Sequence, residues 1–121
     1  MAGRSEPGWY RMRRGWMNDP VLKPEPFTER DVYVWAMEQA AYLDHERWFR
    51  GTHVYLLRGE FITSLHHMAE TFGWSVKRVR QFLERMLRAG KWSRRRAYAG
   101  AKAPTVISVC EYDELQAKPK D

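Results

Sequence analysis

What the 121-residue sequence has little of excludes several classes of protein at once. There is one cysteine, Cys110, so no internal disulfide can form; at the end of an apolar strand its thiol reads as a small hydrophobe. No apolar run approaches the ~20 residues of a membrane span, and no signal-peptide pattern is present, so no membrane contact and a cytoplasmic location are expected. Histidine is scarce. His45, His53, His66 and His67 are all there is, and the adjacent pair cannot share one helix face, so no metal site is expected. A Gly-rich phosphate loop is missing and the carboxylates are not clustered for metal-assisted hydrolysis. Neither catalysis nor a cofactor is expected.

Acidic residues are also missing, from one stretch only. Residues 75–102 hold ten Lys and Arg against Glu84 alone, a local charge of +9, whereas the rest of the chain has eleven basic and fourteen acidic groups. Charge concentrated in this way is the footprint of a surface that meets a polyanion, and double-stranded DNA is the expected partner. A basic face of this kind also suits an acidic protein or an RNA, so an adaptor role is the alternative. Single-strand binding would call for several aromatics on one exposed sheet face, a pattern that is not evident.

What is present argues for a folded domain. A hydrophobic fraction of 44% with six tryptophans is enough for one core in a chain of this length. The expected boundaries are a tail over 1–8, a domain over 9–115 and a second tail over 116–121.

The punctuation is densest between residues 64 and 90. Ser64 can cap a helix carrying Leu65, Met68, Ala69 and Phe72 on one face, which Gly73 ends. Ser75 can cap a second, with Val76, Val79, Phe82, Leu83, Met86 and Leu87 in a single arc, until Gly90 stops it. Lys77, Arg78, Arg80, Gln81, Glu84, Arg85 and Arg88 take the remaining arc. Two short helices and a tight turn form a helix-turn-helix, the second helix suited to a DNA major groove. Trp74, in the turn, is expected to pack inward, and Trp35 and Trp92 to belong to the core. Residues 91–98 and 105–110 read as strands around a loop at 99–104, a hairpin wing with Lys102 at its tip.

Upstream, Trp9, Met12, Trp16 and Met17 predict a short helix ended by Asn18-Asp19-Pro20. Arg11, Arg13 and Arg14 fall on its far side, as solvated charges or as a further phosphate contact; two copies could pair through this segment. Pro20, Pro24 and Pro26 predict an extended connector. Thr28 then caps a helix with Glu29 and Asp31 in its first turn, whose inner face runs from Val32 through Trp35 or Ala36 and Gln39 or Ala40 to Leu43. Being acidic, it is expected to lie away from DNA. Residues 44–52 read as a polar loop, 53–57 and 60–63 as a β ribbon around Arg58-Gly59, and 111–115 as a last helical turn.

The expected fold is therefore an α+β winged helix-turn-helix: three main helices, a β-hairpin wing and an extra short N-terminal helix. By residue type Lys77, Arg78 and Gln81 suit base edges, while Arg80, Arg85, Arg88, Arg94, Arg95, Arg96 and Lys102 suit phosphates.

The segments Gly8-Trp9-Tyr10, Asp19-Pro20-Val21, 58–64, 68–70, Phe72-Gly73-Trp74-Ser75, Val79-Arg80, 82–85 and 105–109 with Tyr112 together resemble the N-terminal winged-helix domain of phage and prophage replication organisers. The likeness spans roughly residues 8–113. It implies double-stranded DNA binding at a replication origin in a phage-infected or lysogenic bacterium, with Ser75, Lys77, Arg78 and Gln81 where the recognition helix meets bases. His66 and His67 stand where Arg or Tyr is more usual in that family, and Glu111 where Asn is. The C-terminal region that engages the helicase-loading machinery there has no counterpart in this sequence, so a prophage-type transcription regulator is an equal expectation.

Overall fold

The computed structural model describes residues 12–115. The two expected tails, and the start of the expected helix at residues 9–11, lie outside them. The chain is a mixed α+β structure with two small antiparallel sheets, and among the described residues no helix is long and apolar enough to cross a membrane.

Of the expected N-terminal helix only a three-residue 3-10 turn, Trp16–Asn18, is found. Gly15 sits at φ +90 immediately before it, a left-handed conformation that no helix starting earlier can pass through. Arg14, exposed, reaches across to the next helix. Its guanidinium donates to the carbonyls of Glu38 and Ala40, at the C-terminal end of the next helix, and to the Tyr112 hydroxyl, so it acts as a cap.

That helix, α1 (Glu29–Gln39), begins with a full capping box. The Thr28 side chain accepts from the Asp31 amide and the Asp31 carboxylate accepts from the Thr28 amide. It ends earlier than the apolar pattern predicts: Ala40 is already extended at ψ 138, and Leu43 is 54% exposed instead of continuing the buried face of Val32, Trp35 and Ala36.

Residues 44–52 are not a loop. β1 (His45–Phe49) pairs with β2 (Thr52–Leu56), and Phe49 opposite Thr52 leaves only Arg50 and Gly51 between the strands, both at positive φ as a primed two-residue turn requires. The ribbon expected between 53–57 and 60–63 does not form. β3 (Glu60–Thr63) instead pairs with β5 (Thr105–Val109), which pairs in turn with β4 (Trp92–Arg96), giving the sheet order β3-β5-β4.

Between the sheets' contributions lie the helices α2 (Leu65–Phe72) and α3 (Val76–Arg88), capped by Ser64 and Ser75 as their sequence predicts. Gly73 ends α2 at φ +72, where a Cβ would stand 3.3 Å from Pro26, so neither the conformation nor the space suits another residue. Gly90 closes α3 in a Schellman motif, with the Lys91 amide reaching the Met86 carbonyl and the Gly90 amide the Leu87 carbonyl. α4 (Tyr112–Leu115) is the expected final turn.

The pleat of β5 divides the interior in two. Ile107 and Val109 face α1, α2 and α3, whereas Val106 faces Val54 and Leu56 of the β1–β2 hairpin. The helical side is built on a closed circuit of six aromatics: Trp35, Phe61, Trp92, Phe82, Trp74 and Phe72 meet edge-to-face with centroids 5.0–6.0 Å apart. Such pairs add about 0.5–1.5 kcal/mol each beyond area burial, and here they fix α3 against both α2 and the sheet. Trp74 packs inward, as do Trp35 and Trp92. Its indole N–H donates to the Phe27 carbonyl at 2.7 Å, which ties the proline-rich connector to the turn between the helices.

Candidate nucleic-acid interface

The amphipathic pattern of α3 resolves into two distinct faces. Val79, Phe82 and Leu83 are buried, and Ser75, Lys77, Arg78, Arg80, Gln81, Glu84, Arg85 and Arg88 are exposed. Ser75 has a structural task before any other: its hydroxyl accepts from the Arg78 amide at 3.1 Å and starts the helix. The Arg78 guanidinium lies 3.9 Å from the centroid of the Trp74 ring, whose bulk is in the core, so a cation–π contact steadies a side chain that is otherwise in solvent.

Not every basic group expected at the interface is available to a ligand. Arg85 forks onto Glu29 of α1, with nitrogen to oxygen distances of 3.2 and 2.6 Å, and this hydrogen-bonded pair holds the Glu29 carboxyl below its ordinary pKa. The acidic start of α1 therefore adjoins α3 and neutralises one of its arginines. Arg95 is engaged more fully. It donates to both oxygens of Glu60, at 3.0 and 2.9 Å, and to the Tyr55 carbonyl at 3.1 Å. Burial of Glu60 by itself raises its pKa, but the bonds from Arg95 and from the Leu57 amide outweigh this and the net shift is downward. Arg96 donates to the Gly100 carbonyl and so closes the β4–β5 loop on itself.

The alternation of β4 explains the division. Trp92 points into the aromatic core, and Arg94, two residues on, stays on the helical side of the sheet, while Arg95 falls on the side of the β1–β2 hairpin. Arg94 joins Arg80 and Glu84 around a hollow of about 270 Å³ between α3 and the β4–β5 hairpin, floored by Leu65, Met68 and Leu83. A second hollow, of about 460 Å³, follows on the other side of Leu65 and Thr105, with Lys102, Arg50 and His66 on its walls. Among the described residues Lys77, Arg80, Gln81, Arg88, Arg94 and Lys102 make no side-chain hydrogen bond or ion pair with the rest of the chain.

Other readings from the sequence change with the geometry. Cys110 is exposed, because β5 ends one residue before it. His67 is half buried and meets the Phe49 ring edge-on at 6.1 Å, which separates it from the exposed His66. Among the described residues no group of three or more His, Cys, Asp or Glu side chains could hold a metal ion. The β1–β2 hairpin also presents Trp48 and Tyr55 to solvent on one face, at 68% and 53% exposure, a shared face that the reading of residues 44–52 as a loop conceals. Comparison of the chain with protein-family models, curated proteins and solved structures found no match in any of the three.

Proposed function

We propose that the chain is a winged helix-turn-helix domain that binds double-stranded DNA sequence-specifically, with α3 as recognition helix and the β4–β5 hairpin as wing. The observation that carries this reading is the sorting of the cations. Within residues 75–102, Arg85 is spent on α1, Arg95 on Glu60 beside the β1–β2 hairpin, Arg96 on its own loop and Lys91 on Glu111, while Lys77, Arg78, Arg80 and Arg88 stay on the outward face of α3 with Arg94 across the hollow beside it. A polyanion of major-groove width is the partner such a strip suits.

In this proposal Lys77, Arg78 and Gln81 reach base edges, Arg78 having the fork that matches guanine and Gln81 the amide that matches adenine. Arg80, Arg88, Arg94 and Lys102 hold phosphates. Arg85, Arg95 and Arg96 serve the scaffold, and Ser75 starts the helix. No catalytic step is assigned to any of them. The resemblance to replication organisers supports a role in phage-type replication initiation in the bacterial cytoplasm or nucleoid, and the same domain would serve a prophage-type transcription regulator.

Selection of bound duplexes from a random-sequence pool tests the proposal. Enrichment of one short motif is the expected outcome, and Arg78→Ala or Gln81→Ala should then cost about 1–3 kcal/mol at that motif and relax its specificity. Retention of the pool without enrichment would leave only a nonspecific binder. If nothing were retained, the basic face would have to serve an acidic protein or an RNA.

A further inference from the structure

The hollow beyond Leu65 and Thr105 has walls from three elements far apart in sequence. The β1–β2 turn contributes Phe49, Arg50 and Thr52, the start of α2 contributes Ser64 and His66, and the wing contributes Tyr98 and Lys102. No Asp or Glu lines it. Arg50 comes from the β1–β2 turn and Lys102 from the β4–β5 loop, both exposed and neither paired with a carboxylate among the described residues. Arg50 is placed there by the backbone. It occupies the left-handed region at φ +50 in a two-residue turn, and its guanidinium lies 5.4 Å from the Phe49 ring centroid, so the side chain is held over the hollow's edge. The two hollows adjoin at Leu65 and Thr105, which line both, so Arg80 and Arg94 of the first and Lys102 and Arg50 of the second flank neighbouring stretches of the surface.

We infer that the β1–β2 hairpin is a second contact element, whose Arg50 grips, together with Lys102, the sugar–phosphate backbone of the bound duplex beyond the segment read by α3. The inference rests on the proposed DNA binding and extends it: the wing becomes the middle of the contact, not its end. The chemistry favours a phosphodiester chain. Apart from His66, the polar side chains of the second hollow are cations and hydroxyls, and in the adjoining hollow Arg80 and Arg94 outnumber Glu84.

The test compares salt dependence on two random-sequence duplexes, one of about one helical turn and one of about three turns. Arg50→Asn removes the charge and keeps a residue that tolerates the left-handed turn; Lys102→Gln removes the charge contributed by the β4–β5 loop. Arg47→Gln, on the same hairpin but outside the hollow, controls for net charge. On the long duplex Arg50→Asn and Lys102→Gln should each lower the log–log salt slope by about one, Arg47→Gln should not, and on the short duplex Arg50→Asn should have no effect. An unchanged slope for Arg50→Asn on the long duplex, while Arg80→Ala still lowers it, would overturn the inference and leave the DNA reading standing. An equal fall for Arg47→Gln would also overturn it. Binding without salt dependence by the unaltered chain would remove the DNA reading, and this contact with it.

Discussion

Arg94 and Arg95 are adjacent in β4 and chemically identical, yet they belong to different parts of the molecule. The first opens on the hollow beside α3 with no acidic partner but Glu84 on the opposite wall; the second is clamped to Glu60 and the Tyr55 carbonyl on the far side of the sheet. A run of arginines is thus not a uniform patch. In a strand the pleat sends alternate side chains to opposite faces, and what waits on each face decides whether a charge is structural or available.

The comparison breaks most visibly at Glu60. This carboxylate is only 7% exposed, and Arg95→Ala would leave it without its counter-charge, so a loss of roughly 2 kcal/mol of stability is expected by urea denaturation. The same variant should keep the salt slope for DNA. Acid should act through the same pair. Because the folded-state pKa of Glu60 is depressed, the stability it contributes is complete above the ordinary glutamate value and is lost as pH falls through the lowered one. Urea midpoints measured from neutral to acidic pH should therefore fall more steeply for the unaltered protein than for Glu60→Gln.

Arg94→Ala is the mirror image. Its stability should stay within about 0.5 kcal/mol, while the salt slope of duplex binding should fall by about one. The smallest effect is expected at Arg85. The pair with Glu29 is solvent-exposed and screened by water, so Arg85→Ala should shift the urea midpoint only slightly and leave DNA specificity intact. A loss of specificity there as large as that of Arg78→Ala would erase the division between spent and available charges.

How much of this could be read from the sequence depends on how local the cause is. Ser64, Gly73, Ser75 and Gly90 act within a turn of their own positions, and α2 and α3 start and stop where those residues predict. Thr28 and Asp31 do the same for α1. β1 was hidden because its inward side is His45, Arg47 and Phe49, with little apolar alternation, and because its turn is Arg-Gly and not one of the usual Asn-Gly or Asp-Gly pairs. Among the described residues Gly15, at positive φ, limits the helix that the apolar spacing of Met12, Trp16 and Met17 suggests to the turn Trp16–Asn18.

Tertiary causes were not legible. β3 pairs with β5, more than forty residues away, in preference to its neighbour β2. Glu29 is 56 residues from Arg85 and Glu60 is 35 residues from Arg95, so nothing near either arginine shows that its charge is spent. Residue type and clustering locate the basic stretch in the chain, but its division into paired and unpaired charges needs the fold.

The exposed face of α3 is proposed to read a DNA sequence. The most direct test is the affinity of the chain and of Gln81→Ala for the selected motif and for a shuffled duplex of equal length, each across a salt series. The expected result is a preference for the motif that persists at every salt concentration, a log–log slope of several units on both duplexes, and a preference largely lost in Gln81→Ala while the slope is kept. Equal affinity of the unaltered chain for motif and shuffled duplex, or a preference untouched by Gln81→Ala and Arg78→Ala alike, would contradict it.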